Sequence, residues 1–178
     1  MDIRGLRTII RADLAAKGAR SDRLTVAVFR LGQYTHEKRR RLPLHIVYLL
    51  LNFVWVNAIV GAELPPTMKI GGGFRLAHWG RGVILHPATV MGQNCYLYHG
   101  VTIGQGNGGS PTLGNYVYVG AGAKILGNIS VGTRARIGSG AVVVRDVPEY
   151  ATVVGVPARV IGVRERGNDL SNGAPGVA

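Results

Sequence analysis

The stretch that decides the fold is LGNYVYVGAGAKILGNISVGTRARIGSGAVV, residues 113–143. Every sixth position in it carries an aliphatic residue: Leu113, Val119, Ile125, Val131, Ile137 and Val143. A period of six fits neither a helix, at 3.6 residues per turn, nor a simple alternating strand. It fits short strands joined by tight bends, where glycine supplies backbone angles that other residues resist.

The same period extends upstream to Glu63. Its markers there are Leu64, Ile70, Leu76, Leu85, Met91, Leu97 and Ile103, and glycine directly follows seven of the 13 markers in the chain. Three hexads per coil make a triangular prism. We therefore predict an all-β core, a left-handed parallel β-helix of hexapeptide repeats, with a helical N-terminal segment. Cys95 falls in a small inward slot, which favours core packing over a nucleophile.

Two register breaks interrupt the repeat. Leu76 and Leu85 are nine residues apart, and the extra residues carry AHWGR, 77–81. Ile103 and Leu113 are ten apart, which adds a loop at 105–112. Breaks in a solenoid map to loops, and loops on a rigid scaffold often carry function.

The first break contains the best candidate for a general base. Imidazole titrates near neutral pH, so a solvent-reachable His78 can take a proton there. His99 can line the same cleft, beside Trp79. A carboxylate would fix the tautomer of such a base, and Glu63 is the sole acidic residue between 42 and 145. Its spacing from His78, a little under one coil, predicts that the two side chains approach.

The N-terminal third is basic and then apolar. Residues 1–41 hold 11 basic and four acidic residues, and the run at 46–62 is strongly apolar. Nucleic-acid binding is disfavoured because no module or aromatic pattern accompanies the arginines. A cleaved secretory signal peptide is disfavoured because the apolar run begins some 45 residues into the chain. A transmembrane helix is marginal because the run has 17 residues. Two readings stay open and compatible: a helix buried against neighbours, or one resting on an anionic inner leaflet beside KRRR, 38–41.

Composition sets further limits. The chain has 178 residues and a net charge of +12, and its 47% apolar content excludes a disordered tail protein. One cysteine excludes a disulfide framework and fits a cytoplasmic location. No metal-ligand spacing is present, so no metal is predicted. We divide the chain into a helical segment (1–62), the β-helix (63–150), a C-terminal segment (151–166) and a disordered tail (167–178).

With these residues in hand, the chain resembles the serine acetyltransferase-like branch of the hexapeptide acyltransferases. The resemblance covers about 29–162 and is carried by AELPPTMKIG, RLAHWGRGVILHPATVMG, HGVTIG, VYVGAGAKILGNISVG, IGSGAVVVRDVP and GVPARVIG. It implies that His78 is the catalytic base and that Glu63, aspartate in the family, is its partner.

The resemblance also implies acetyl-CoA bound in a groove between neighbouring prisms of a homotrimer. Ala121 and Ser139 match positions on the pantetheine arm, and Arg136 matches a residue that meets a CoA phosphate. Lys124 and Arg159 are further phosphate candidates. The segment 155–162 would cover the adenine.

The acceptor is where the chain departs from the serine-specific members. Those members carry an Arg-His pair where this chain has Gly109 and Ser110. HGVTIG, with His99, together with an apolar N-terminal helix, resembles the acetyltransferases of surface-polysaccharide biosynthesis, such as the colanic acid type. We therefore predict O-acetylation of a sugar hydroxyl, with serine as the alternative acceptor and Ser110, His99 and Trp79 as acceptor-site candidates. The alternative to an enzyme is a non-catalytic β-helix scaffold that only binds or assembles with other molecules.

Overall fold

The structure is a computed structural model that describes residues 3–16, 22–36, 42–106 and 108–164. The predicted tail at 167–178 and the basic cluster at 38–41 lie outside these residues. Helices occupy the N-terminal third: α1 (Ile3–Ala15), α2 (Asp22–His36) and α3 (Leu42–Leu51), which continues as a π-helical segment, Asn52–Val60. The helix ends at Gly61, whose φ of 68° is a left-handed conformation that suits glycine.

Among the described residues, fourteen short strands follow the helices. They are β1 (Lys69–Ile70), β2 (Arg75–Leu76), β3 (Ile84–Leu85), β4 (Val90–Met91), β5 (Tyr96–Leu97), β6 (Thr102–Gly104), β7 (Thr112–Leu113), β8 (Tyr118–Val119), β9 (Lys124–Leu126), β10 (Ser130–Val131), β11 (Arg136–Ile137), β12 (Val142–Val143), β13 (Ala151–Val154) and β14 (Arg159–Val163). A turn of 3-10 helix, Ala77–Gly80, lies between β2 and β3.

The strands form three parallel faces of a prism. The first face contains β1, β4, β7 and β10, the second β2, β5, β8, β11 and β13, and the third β3, β6, β9 and β12. Strand β14 folds back antiparallel on β13 and extends the second face. The chain therefore makes about four coils, and the predicted parallel β-helix with a helical N-terminal segment is confirmed.

Strand register shows how the two breaks are accommodated. Thr112 pairs with Ser130, 18 residues later, which is the regular coil. The pairing of Lys69 with Val90 spans 21 residues, and that of Val90 with Thr112 spans 22. The extra residues loop out at corners: 77–81 between the second and third faces, and 105–112 between the third and first. The stacked strands stay in register.

The core confirms the period of six. All 13 marker positions are buried, because each points into the prism. Cys95 is fully buried in a small inward slot, where its Sγ donates to the Gly114 carbonyl at 3.3 Å. Burial raises the pKa of this thiol to about 11, so the thiolate is disfavoured at neutral pH. Cys95 is a core residue, as predicted.

Helices α1 and α2 close the N-terminal end of the prism, where β1 is the edge strand of the first face. Side chains of these helices bind four backbone groups of the first coil. Arg30 donates to the carbonyls of Ile70 (2.9 Å) and Gly71 (2.6 Å), Gln33 donates to Met68 O (2.7 Å), and Asp13 accepts from Phe74 N (2.9 Å). Arg30 is almost completely buried and pairs with Asp13 at 2.8 Å. Helix packing thus satisfies groups that the strand ladder leaves open.

Helix α3 and its π-helical continuation pack against the rest of this chain along one side only. Tyr48, Val56 and Val60 are their buried residues, and most of the other apolar side chains are exposed. Within this chain the apolar run is a surface feature, because just one narrow side of it contacts α2 and the prism.

Candidate functional site

One corner of the prism gathers four of the predicted site residues. Strands β2, β5, β8 and β11 are in register through Leu76, Leu97, Val119 and Ile137. The residues two positions after Leu97, Val119 and Ile137 therefore occupy equivalent places in successive coils, about 4.8 Å apart. They are His99, Ala121 and Ser139, and Arg81 holds the same place in the first coil, because its carbonyl accepts from Gly100 N at 2.7 Å. We call this set the corner column; it lies between the second and third faces.

Backbone hydrogen bonds hold the column together. Gly122 N donates to His99 O at 2.9 Å, and Gly140 N donates to Ala121 O at 2.8 Å. At the top, the imidazole rings of His78 and His99 are 5.0 Å apart and nearly perpendicular. The predicted base therefore lies in the bulge, beside the corner column, and contacts it through the ring of His99.

The bulge that carries His78 has an unusual backbone. His78 (φ 52°, ψ 43°) and Trp79 (φ 64°, ψ 1°) both adopt left-handed conformations, which are rare in residues other than glycine. Two contacts hold them: Trp79 N donates to Asp22 Oδ1 at 3.0 Å, and the Trp79 ring packs on Trp55 with centroids 5.8 Å apart. Such conformations persist where surrounding structure enforces them, and they cluster at functional sites. His78 is exposed to solvent as a result.

An open cavity of about 640 Å³ adjoins His78. Its lining residues are Asp22, Ala77, His78, Trp79, Arg81, Tyr96 and Tyr98. The Tyr98 ring lies 6.0 Å from that of His78, and the Arg81 guanidinium lies 5.3 Å from the centre of the Trp79 ring. The cavity thus offers a base, one carboxylate, one guanidinium and aromatic walls to a small acceptor.

Glu63 lies on the outer surface of the third face, the face that follows the corner of His78. Its neighbours Ala62 and Leu64 are buried, so the alternation of the strand turns Glu63 outward. It forms a bridge beside Ile84 on the third face, and no hydrogen bond joins its carboxylate to His78 in the described parts of the chain. The acidic residue in the cavity is Asp22. Sequence reasoning missed it, although an aspartate at the start of an apolar-periodic helix is a known N-terminal signal.

A second group that sequence reasoning missed is an aromatic stripe beside the cavity, Tyr96, Tyr98 and Tyr118. Their ring centroids are 5.1 to 5.9 Å apart. Arg75 lies 4.4 Å above the Tyr96 ring, and Arg136 lies 5.8 Å from that of Tyr118. Burial, together with the hydrogen bond to Tyr98, raises the pKa of Tyr96 and of Tyr118 to about 12. These hydroxyls stay neutral at physiological pH.

The predicted phosphate-binding cations lie near the lower end of the corner column. Lys124 is exposed on the third face, next to Val142 in the adjacent coil. The Ala158 N–H donates to the Val142 carbonyl at 2.8 Å, which brings the C-terminal segment and Arg159 to the same edge. Burial lowers the pKa of Arg136, and the nearby Arg164 lowers it further, so a bound anion would relieve this arrangement.

Ser110 lies at another corner of the same chain. Its hydroxyl is 2.8 Å from His86 Nδ1, at the corner between the third and first faces. Its loop closes as a tight hairpin, in which Gly106 and Gly109 exchange backbone hydrogen bonds of 3.0 and 3.1 Å. Of the three acceptor-site candidates, His99 and Trp79 therefore contact or line the His78 cavity, and Ser110 does not. No group of histidine, cysteine and acidic residues suited to a metal is found among the described residues.

Comparison with known proteins adds the family. A family model for the bacterial transferase hexapeptide, six repeats, matches residues 110–145. The serine acetyltransferase of Synechococcus elongatus is 48% identical over 133 residues, which cover 71% of this chain and 53% of that protein. The serine acetyltransferase of Helicobacter pylori strain J99 is 42% identical over 138 residues, covering 75% and 77%. The chain thus spans about half of the first relative and three quarters of the second.

A solved structure agrees with these sequence relatives. The serine acetyltransferase of Brucella abortus in complex with coenzyme A superimposes with a TM-score of 0.71 at 31% identity, and the match covers 91% of this chain and 68% of that one. The shared repeat also supports the predicted left-handed winding. The chain therefore belongs to the hexapeptide-repeat transferases, in their serine acetyltransferase branch.

Proposed function

We propose that this protein is an acetyl-CoA-dependent O-acetyltransferase whose catalytic base is His78. The observation that carries the proposal is the position of His78, which is exposed in a constrained backbone with its ring 5.0 Å from that of His99, the residue that stacks in register with Ala121 and Ser139. The relative from Brucella abortus binds coenzyme A on the same fold. A non-catalytic scaffold would have no need of the constrained bulge.

In the proposed reaction, His78 takes the proton of an acceptor hydroxyl as its oxygen attacks the thioester carbonyl of acetyl-CoA. The tetrahedral intermediate collapses, the carbon–sulfur bond breaks, and the imidazolium returns the proton to the departing thiolate. The products are the acetyl ester and CoA. No covalent enzyme intermediate is needed, and His99, perpendicular to His78 at 5.0 Å, limits the rotation of its ring.

The cofactor would lie along the corner column. Backbone groups beside Ala121 and Ser139 would contact the pantetheine arm, and Lys124, Arg136 and Arg159 would face the phosphates. Adjacent coils are in close backbone contact along this edge: a Cβ placed on Gly120 would lie 2.6 Å from Ser139 N. We further propose a homotrimer in which the groove between two prisms completes the site, with the segment 155–162 over the adenine.

Two carboxylates are candidates for orienting the His78 imidazole. Glu63 is one; it is exposed on the third face and makes no hydrogen bond to His78 in the described parts of the chain. Asp22, which already holds the bulge through Trp79, is the other. We keep Glu63 as a positioning residue. Glu63→Gln should move the acid limb of the kcat/KM pH profile to lower pH, because a carboxylate stabilises the imidazolium.

The first acceptor to test is serine, which the names of the relatives specify. An amino acid carries an ammonium and a carboxylate, and the cavity offers Asp22 and Arg81 as opposite charges. A sugar hydroxyl of a surface-polysaccharide precursor is the second candidate. The aromatic stripe favours it, because its rings and neutral hydroxyls suit the apolar faces and hydroxyls of a sugar.

The decisive experiment is His78→Ala. General-base help is typically worth about 10²–10⁴ in rate, so kcat should fall by that factor while CoA binding, measured by calorimetry, stays near that of the wild type. His36→Ala, an exposed histidine at the end of α2, is the matched control and should keep full activity. An active His78→Ala enzyme would refute the assignment, and a wild-type protein that does not bind CoA would favour the scaffold.

The two acceptors are separated by a pair of variants. With serine as acceptor, Arg81→Gln should raise KM at least about tenfold because a carboxylate loses its partner, while Tyr98→Ala should change KM much less. With a sugar acceptor, Tyr98→Ala should raise KM and Arg81→Gln should not. Robust consumption of acetyl-CoA with serine alone would exclude the sugar as the primary acceptor.

A further inference from the structure

The longest apolar surface in the described part of the chain lies on α3 and its π-helical continuation, Leu42–Val60. Ten large apolar side chains of this helix are between 39% and 69% exposed: Leu42, Leu44, Ile46, Val47, Leu49, Leu50, Leu51, Phe53, Val54 and Ile59. We call this set the α3 apolar face. Soluble monomers rarely expose a continuous apolar patch of this kind unless something covers it.

The opposite side of the helix is fixed to the protein along its whole length. His45 Nδ1 lies 3.1 Å from Thr35 Oγ1, near the start of the helix. The Tyr48 ring packs so closely on Gly32 that a Cβ there would lie 2.5 Å from it. Further along, Trp55 Nε1 donates to Thr25 Oγ1 at 3.1 Å. These contacts hold the helix antiparallel to α2, with its apolar face outward.

This attachment decides between spanning a membrane and lying on one. The helix is long and apolar enough to cross a bilayer, with 19 residues and a mean hydropathy of 1.8. A spanning helix would have to leave α2 and lose the contacts of Thr25, Gly32 and Thr35 with it. A helix that stays in place can bury its outward face to a depth of about 5–10 Å at the boundary between headgroups and acyl chains.

The basic residues that precede the helix in the sequence favour anionic lipids. Lys38, Arg39, Arg40 and Arg41 directly precede Leu42 in the chain, and no acidic residue occurs from 42 to 62. Each basic residue near an anionic surface contributes about fivefold to partitioning. We propose that the α3 apolar face docks this protein on the surface of an anionic membrane, to which the basic sequence that precedes Leu42 adds electrostatic attraction, so that the reaction takes place at the cytoplasmic face.

The test is co-sedimentation of the full chain with vesicles of phosphatidylcholine, with and without phosphatidylglycerol. The wild type should bind the anionic vesicles, and added salt should weaken binding. Leu50→Ser combined with Phe53→Ser should lower binding at least about tenfold, since both side chains are more than 60% exposed and their burial drives insertion. Arg39→Gln, Arg40→Gln and Arg41→Gln together should lower it by a similar factor.

The matched control is Ile161→Ser combined with Val163→Ser, which removes two apolar side chains of the same exposure, 66% and 63%, from β14. This variant should bind vesicles like the wild type. Binding by the Leu50/Phe53 variant equal to that of the wild type would overturn the proposal. A wild type that stays in the supernatant would overturn it as well. If, in addition, the Leu50/Phe53 variant has a different oligomeric state in light scattering, the α3 apolar face is an interface between copies of the chain.

Insertion of the α3 apolar face into the membrane can also be measured with a fluorescent label. Cys95 is buried and its pKa is raised to about 11, so Phe53→Cys provides a single reactive thiol for an environment-sensitive fluorophore. The emission of a label at 53 should shift to the blue when anionic vesicles are added. A label at Val163→Cys should not shift. Equal shifts at both positions, or none at 53, would refute docking through this face.

Discussion

Replacing Arg30 with alanine tests how the helices are joined to the prism. Arg30 is 1% exposed and donates five hydrogen bonds. Its removal leaves the Asp13 carboxylate, 9% exposed, without its cation, and leaves the carbonyls of Ile70 and Gly71 without their donor. Breaking a buried ion pair on one side costs about 3–5 kcal/mol. Asp13 keeps its bond from Phe74 N, so we expect the lower end, about 3 kcal/mol.

The measurement is urea unfolding. With a slope of about 2 kcal/mol per molar, typical for a chain of this size, the midpoint for Arg30→Ala should fall by about 1.5 M. Arg11→Ala, an exposed arginine of α1, should change the free energy of unfolding by less than about 0.5 kcal/mol. Arg30→Met combined with Asp13→Asn should unfold later than Arg30→Ala, because no buried charge is left unpaired.

Two results would refute this reasoning. If Arg30→Ala stays within about 1 kcal/mol of the wild type, the guanidinium is not holding the coil. If the double variant is no more stable than Arg30→Ala, the cost does not come from the unpaired Asp13 carboxylate, because asparagine removes that charge and methionine also restores packing.

Three further predictions concern the coils. Thr89 is fully buried and its hydroxyl has no hydrogen-bond partner among the described residues, so Thr89→Val should raise the free energy of unfolding by about 1 kcal/mol; a loss in urea unfolding would show an unseen partner. Gly120→Ala should destabilise by about 1–3 kcal/mol in the same assay because its Cβ would lie 2.6 Å from Ser139 N, whereas Gly162→Ala meets nothing within 4 Å and should be neutral. Folding raises the pKa of the Cys95 thiol to about 11, so above pH 9 the thiol ionises in the unfolded chain but not in the folded one. The free energy of unfolding should therefore fall by up to about 1.4 kcal/mol per pH unit between pH 9 and about 11. Cys95→Ala should make this fall less steep, and an unchanged slope would contradict the prediction.

Much of the fold follows from the period of six. Each marker from Leu64 to Val143 points inward because the hexad repeats at the same place on every face, and all of them are buried. The two breaks were predictable as loops, since three and four extra residues cannot be inserted into stacked strands without moving to a corner. The corner column is also implicit in the sequence, because register alone places His99, Ala121 and Ser139 one above another.

The rest depends on contacts between distant segments, which no local pattern contains. Asp22 reaches Trp79 across 57 residues, through the packing of α2 on the bulge. The approach of Glu63 to His78 stays a prediction: the alternation of the strand sends Glu63 outward between two buried neighbours, and His78 is exposed too, in a bulge whose path residue counting does not give. The exposure of the α3 apolar face was likewise not predictable, because hydrophobicity does not say whether a helix is covered.

The closure of the first coil by α1 and α2 has a consequence for assembly. A stack of parallel coils has no natural length: each end presents strand edges that another stack can continue, as fibrils do. Arg30, Gln33 and Asp13 occupy the hydrogen-bonding groups of the edge at β1 with side chains that no strand can replace in register. The helices therefore act as a terminator that keeps a potentially endless polymer finite, separately from any part they play at the active site.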